Sequence, residues 1–113
     1  MNTQLADTGI EVDNEGYLLN TGDWSPELAE IIAREERLEL NEARLEVVQF
    51  VRTHFEERET IPELRTLLKA LRERHGKGKA TRKYVYNLFP YGYGQQACKI
   101  AGMRKPLKLL LDL

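Results

Sequence analysis

The amino-acid sequence predicts a mainly α fold: a small N-terminal β-hairpin, then about five helices, two of them forming a helix-turn-helix-like pair. Three observations carry this expectation. Apolar residues recur at the three- and four-residue spacing of a buried helical stripe. Good N-cap residues stand at the head of most of those stripes. Glycine and proline punctuate the chain between them.

Residues 1–7 read as a loose start. Ile10 and Val12, then Tyr17, Leu18 and Leu19, flank Asp13-Asn14-Glu15-Gly16. Asn and Gly tolerate positive φ, so this is the turn of a hairpin, and an isolated hairpin must lean on helices to persist. Ser25-Pro26 opens the first helix, with Ser as N-cap and Pro at the first helical position. Its inner stripe is Leu28, Ile31, Ile32 and Leu38. Asn41 caps a second helix with Leu45, Val48, Val51 and Phe55 inward. Thr60-Ile61-Pro62-Glu63 reads as a capping box that starts a third helix, whose inner face is Leu64, Leu67, Leu68 and Leu71. His75-Gly76-Lys77-Gly78-Lys79 breaks it. Thr81 caps a fourth helix carrying Tyr84, Val85, Leu88 and Phe89, and Pro90 ends it. A turn, Tyr91-Gly92-Tyr93-Gly94, leads to a short fifth helix near Gln95 to Ala101, stopped by Gly102.

The chain has 113 residues, which fits a single domain over 1–113, with 103–113 as a C-terminal arm. Hydrophobic residues at 42% and charged residues at 31% mark a solvated globular protein rather than a disordered one. No apolar run approaches the ~20 residues of a membrane helix. Met1-Asn2-Thr3-Gln4 shows no basic start followed by an apolar stretch, so no signal peptide and a cytoplasmic location are expected. One cysteine, Cys98, excludes an intrachain disulfide, and His54 and His75 are isolated, so neither metal nor cofactor is expected.

Charge is divided along the chain. Residues 1–63 hold five Lys/Arg against sixteen Asp/Glu, and residues 64–113 hold twelve against two. The halves can attract each other within the fold, or the basic half can face an anionic partner. Charge alone favours the internal and solvated reading. Arg72, Arg74, Lys77, Lys79, Arg82 and Lys83 form the densest basic stretch, with Tyr84 and Tyr86 beside it. Such a stretch can follow a phosphate backbone or an acidic protein face, or simply be a solvated loop. Trp24, Tyr84, Tyr91 and Tyr93 read as packing residues, and Glu35-Glu36 and Glu56-Glu57 as solvated helix faces. No general acid/base pair and no glycine-rich phosphate loop stands out.

Asn14-Glu15-Gly16-Tyr17-Leu18 with Trp24-Ser25, Val47-Val48-Gln49-Phe50-Val51-Arg52, Pro62-Glu63-Leu64-Arg65, Asn87-Leu88-Phe89-Pro90-Tyr91-Gly92, Gln96-Ala97-Cys98-Lys99-Ile100-Ala101-Gly102-Met103 and Lys105-Pro106 follow one another in order. Over roughly residues 9–106 this pattern resembles the DsrC/TusE family of sulfur-trafficking proteins. The resemblance implies an orthogonal helical bundle with an N-terminal hairpin and a mobile C-terminal arm. In the family's sulfur carriers that arm ends in a near-terminal cysteine, which takes sulfur as a persulfide and delivers it onward. TusE delivers towards a tRNA-thiolating enzyme, and DsrC partners the dissimilatory sulfite reductase. DsrC proteins hold a second cysteine in the position that Cys98 occupies here. The carrier position falls three residues after Pro106, on Leu109, and leucine cannot supply the thiolate that persulfide chemistry needs. Arg104 stands where proline is usual, and Gly92-Tyr93-Gly94-Gln95 where Gly-Pro-Ala-Lys is usual.

The leading expectation is therefore a non-catalytic, regulatory or adaptor member of a sulfur-trafficking network, sensing redox state or sulfane sulfur through Cys98. It would bind a protein partner of that pathway, or DNA or tRNA, and no membrane. A sulfurtransferase using Cys98 as its sole persulfide site is the alternative, and a DNA-binding regulator is the third. Cys98 is read as a thiol near a helix N-terminus with Lys99, Arg104 and Lys105 nearby, where dipole and cations favour thiolate. Lys99, Arg104 and Lys105 also join the basic stretch as candidate partner contacts. Leu107, Leu110 and Leu111 are expected to dock on the domain or on a partner.

Overall fold

The computed structural model describes residues 4–106, so Leu109 and the leucine tail lie outside the described residues. The chain begins with a 3-10 turn, Leu5–Thr8, whose buried Leu5 donates its N–H to the Glu35 carboxylate at 2.5 Å. The expected hairpin is present only as one antiparallel bridge, Val12 to Leu18. The Asp13 carboxylate accepts the N–H groups of Glu15 and Tyr17, which tightens the turn, and Gly16 takes φ +91°. A second 3-10 turn, Thr21–Asp23, follows so soon that no ladder extends.

Five α-helices then carry the fold among the described residues: α1 (Pro26–Glu35), α2 (Glu42–Arg58), α3 (Leu64–His75), α4 (Arg82–Leu88) and α5 (Cys98–Ile100). The expected caps hold for three of them. Ser25, Asn41 and Thr81 accept the backbone N–H of Leu28, Arg44 and Tyr84 at 3.1, 2.9 and 3.0 Å. Two boundaries differ from expectation. Arg37 adopts φ +61°, so α1 stops short of Leu38, which packs half-buried from beyond the helix. The capping box at Thr60 does not form, and Glu63 is the N-cap without a side-chain bond. Pro62 disfavours the helical region for Ile61, which delays the start of α3 to Leu64. Gly76 at φ +87° ends α3, and a 3-10 turn, Lys77–Lys79, connects it to α4.

The core draws on every helix. Leu28, Ile32, Val47, Val48, Val51, Leu64, Leu67, Leu71, Val85 and Phe89 are all buried, each contributing about 1.5–3 kcal/mol from the transfer of its side chain out of water. The expected inner residues Leu45, Phe55, Leu68 and Leu88 lie at its margin, half-buried. Segment 93–103 runs through the middle: Tyr93, Ala97, Cys98, Ile100, Ala101 and Met103 are each 0% exposed. Among the described residues no helix is long and apolar enough to cross a membrane.

Candidate functional site

The one sulfur nucleophile in the sequence, Cys98, belongs to that central segment. Gly92, at φ +109°, starts a π-helical turn, Tyr93–Ala97, which passes without interruption into α5 because Ala97 is itself helical. Cys98 therefore lies near the C-terminal end of helical segment 93–100, not at an N-terminus. The expected dipole assistance to a thiolate is absent, since the macrodipole at this end favours cations. Lys99 and the closing carbonyls sit where that sign predicts. The segment ends in a Schellman motif: Met103 donates to the Cys98 carbonyl at 3.1 Å and Gly102 to the Lys99 carbonyl at 3.0 Å, with Gly102 at φ +80°.

Side chains from four other parts of the chain hold this segment. Tyr17 hydroxyl donates to the Gly94 carbonyl at 3.3 Å. Trp24 Nε1 donates to the Ile100 carbonyl at 2.8 Å. Arg52 reaches the Ala101 carbonyl at 3.4 Å while stacking 4.9 Å from the Trp24 ring centre. Tyr93 hydroxyl donates to the Pro62 carbonyl at 2.7 Å inside the core. Glu36, at the C-cap of α1, accepts from Lys99 Nζ at 3.1 Å and Gln96 Nε2 at 3.4 Å, and the Gln96 carbonyl oxygen accepts the Tyr91 N–H at 2.9 Å. Lys99 Nζ also lies 5.1 Å from the Tyr17 ring centre. Burial, then the charges of Glu15, Cys98, Glu36 and Asp13, pushes the Tyr17 phenol up to about 12.

This arrangement encloses Cys98. A persulfide relay needs an attacking thiolate that reaches an external sulfur, and the side chain of Cys98 is 0% exposed. Chemistry at this atom requires the 91–103 segment to move away from Tyr17, Trp24 and Glu36. Among the described residues no group of three or more His, Cys, Asp and Glu side chains could hold a metal ion.

The other candidate residues separate into two sets. Lys99 and Lys105 are held within the fold, by Glu36 and by Glu15, whose carboxylate accepts from Lys105 Nζ at 2.6 Å. Hydrogen bonding with Glu15, and then its charge, raises the Lys105 amine above its ordinary value. Arg104 is exposed, whereas Met103 and Pro106 on either side of the Arg104-Lys105 pair are buried. Arg72, Arg74, Lys77, Lys79, Arg82 and Lys83 are all exposed along the end of α3, the 3-10 turn and the start of α4. Arg74 and His75 meet Glu46 of α2 at 3.5 and 2.8 Å. An open groove of about 1710 Å³ runs between α2 and α3, lined by Glu46, Phe50, His54, Lys69 and Arg74 among others, and Cys98 takes no part in it.

Sequence reading had set Glu36 aside as a solvated face, whereas it is the hub of the Lys99 and Gln96 contacts. No local sequence signal marks it, because Gln96 and Lys99 are distant in the chain. Trp24 and Tyr93 are packing residues as expected, and both add a hydrogen bond. Tyr91, expected among the packing residues, is 73% exposed.

Comparison with known proteins places this geometry in a family. A family profile described as "DsrC like protein" matches residues 4–110. The sulfurtransferase TusE of Yersinia pseudotuberculosis is 45% identical over 101 residues, 89% of this chain and 94% of that protein. TusE of Escherichia coli K12 is likewise 45% identical over 101 residues, covering 89% and 93%. In three dimensions, DsrC of Allochromatium vinosum superposes with a TM-score of 0.79 at 41% identity, covering 93% of this chain and 94% of that one.

Proposed function

This chain belongs to the DsrC-like family, and from that membership we propose that it is a cytoplasmic sulfur-relay protein of the TusE sulfurtransferase type, working by docking onto a protein partner of the relay. The observation that carries the reading is the 45% identity to TusE sulfurtransferases across 89% of the chain. Sulfur transfer by this chain then runs through Cys98, since the position of the family's carrier cysteine is Leu109. The Cys98 thiolate attacks the outer sulfur of a donor persulfide, and the donor leaves as a thiol. An acceptor thiolate next attacks the outer sulfur of the Cys98 persulfide and releases Cys98 as it began. No net oxidation occurs. Because Cys98 is buried, docking has to open segment 91–103 before either step.

A second reading has its own observation. Complete burial of Cys98, together with leucine at the carrier position, favours a regulatory or adaptor protein that binds a relay partner and transfers nothing. One experiment separates the two. The protein and a Cys98→Ala variant are incubated with a persulfide donor and weighed, then offered a thiol acceptor. A gain of roughly 32 Da, one sulfur atom, on the natural protein alone and its passage to the acceptor supports transfer. Loading without passage assigns a sensor. No loading, in the presence of the partner as well as in its absence, defeats the transfer reading and leaves the adaptor.

A further inference from the structure

The acidic first half of the chain does neutralise part of the basic second half, but selectively. Glu36 takes Lys99, Glu15 takes Lys105, and Glu46 takes Arg74 and His75. Arg72, Lys77, Lys79, Arg82 and Lys83 have no carboxylate within ion-pair distance among the described residues, and all five are exposed. They follow one another along the end of α3, the 3-10 turn and the first turn of α4, with Glu73 the only acid in that stretch. The fold leaves this ridge of charge unused.

Aromatic rings extend it. On α4, Arg82 and Lys83 precede Tyr86 by four and three residues, so all three share one helix face. Tyr86 is 38% exposed and Tyr91 is 73% exposed. Gly92, the chain neighbour of Tyr91, lies against Tyr86: the place of its missing Cβ is 3.8 Å from the Tyr86 ring. The surface thus offers a run of cations followed by two accessible phenol rings.

We propose that this ridge binds single-stranded nucleic acid, with phosphates on Lys77, Lys79, Arg82 and Lys83 and unpaired bases on Tyr86 and Tyr91. Cations alone would suit a duplex or an acidic protein face equally. The exposed rings decide for a single strand, because only unstacked bases present faces for an aromatic side chain to stack on. RNA and DNA share this chemistry. The proposal does not depend on sulfur transfer.

The test is fluorescence anisotropy with labelled twelve-nucleotide RNA and DNA single strands of mixed sequence, the matching DNA duplex, and a twelve-residue polyglutamate peptide. With four cations on phosphates, a single strand loses about 0.7 log units of affinity per cation per log unit of salt, so binding weakens roughly 50-fold between 50 and 200 mM salt. A Lys77→Gln/Lys79→Gln/Arg82→Gln/Lys83→Gln variant loses most of that slope. Tyr86→Ala and Tyr91→Ala each weaken single-strand binding by at least about fivefold and leave the duplex unchanged. All substituted positions are exposed, and circular dichroism confirms the fold of each variant. A preference for RNA or for DNA names the source. Duplex bound as tightly as single strand, polyglutamate bound as tightly as either, or single-strand affinity indifferent to these substitutions overturns the proposal.

Discussion

Gly102→Ala tests whether the packing that buries Cys98 works as described. Gly102 has φ +80°, and an added Cβ would lie 2.5 Å from Trp24 Cδ1 and 2.8 Å from Trp24 Cβ and Cγ. Two penalties follow. The left-handed backbone costs an alanine about 1 kcal/mol. Overpacking a filled site costs about 1–3 kcal/mol more, and a Trp24 ring that retreats forfeits its bond to the Ile100 carbonyl, about 1 kcal/mol. The expected loss is about 3–5 kcal/mol, a large share of the ~5–15 kcal/mol that holds a domain folded. Gly9→Ala is the control: it has φ +74° with nothing within 4 Å of its Cβ position, so it carries the backbone penalty alone. Urea unfolding followed by circular dichroism gives both values. Trp24, the one tryptophan in the sequence, reports the site directly by fluorescence. A loss at Gly102 no greater than that at Gly9 would refute the claim that Trp24 and Gly102 interlock.

Three further outcomes are expected. A thiol reagent modifies Cys98 in native buffer at least about 1,000-fold more slowly than in denaturant, because reaction waits for an opening, and Gly102→Ala narrows that gap. Tyr93→Phe leaves the Pro62 carbonyl without its donor in the core and lowers stability by about 1–3 kcal/mol in urea unfolding. Tyr17 supplies a pH dependence. Its folded pKa of about 12 exceeds the ordinary 10.0, so between those values the unfolded chain releases the proton first. The stabilisation is complete below about pH 10 and is lost as pH rises towards 12, by about 1–2 kcal/mol once solvent screening of the part-buried hydroxyl is allowed for. Tyr17→Phe flattens the stability profile between pH 10 and 12.

Much of the fold was legible because it rests on local signals. Ser25-Pro26, Asn41 and Thr81 are caps whose geometry depends on a few neighbouring residues, and each capped the helix it announced. Thr60 failed because the same four residues contained Pro62, whose steric demand on Ile61 outweighs a capping side chain. The hairpin shrank to one bridge because strand pairing needs length on both sides, and the Thr21–Asp23 turn removes it. At Cys98, sequence reading placed a helix start where the helix was already ending. A π-helical turn has no distinctive sequence pattern, so Tyr93 and Gly94 read as part of a turn and the helix as starting near Gln95. Glu36 was misread for a different reason: its partners Gln96 and Lys99 are some sixty residues away, and no local pattern encodes that contact.

The residues that carry the family resemblance and the residues that hold the central segment are largely the same ones. Glu15 clasps Lys105, Tyr17 meets Gly94, Trp24 reaches Ile100 and interlocks with Gly102, Arg52 meets Ala101, and Pro62 receives Tyr93. They specify a scaffold that fixes the segment leading into the arm. Carrying sulfur makes a different demand, an accessible thiol, which the scaffold neither supplies nor requires. A chain can therefore keep every one of these contacts, and with them 45% identity to TusE sulfurtransferases, while its only thiol lies at the centre of the core. For such a chain the rate of sulfur transfer is bounded by how often the scaffold opens. Variants that loosen Trp24 against Gly102 should therefore speed loading at Cys98 even as they lower stability. Faster loading follows from exposure in either role, so passage to an acceptor tells them apart: it rises with loosening in a carrier and stays absent in a pure adaptor.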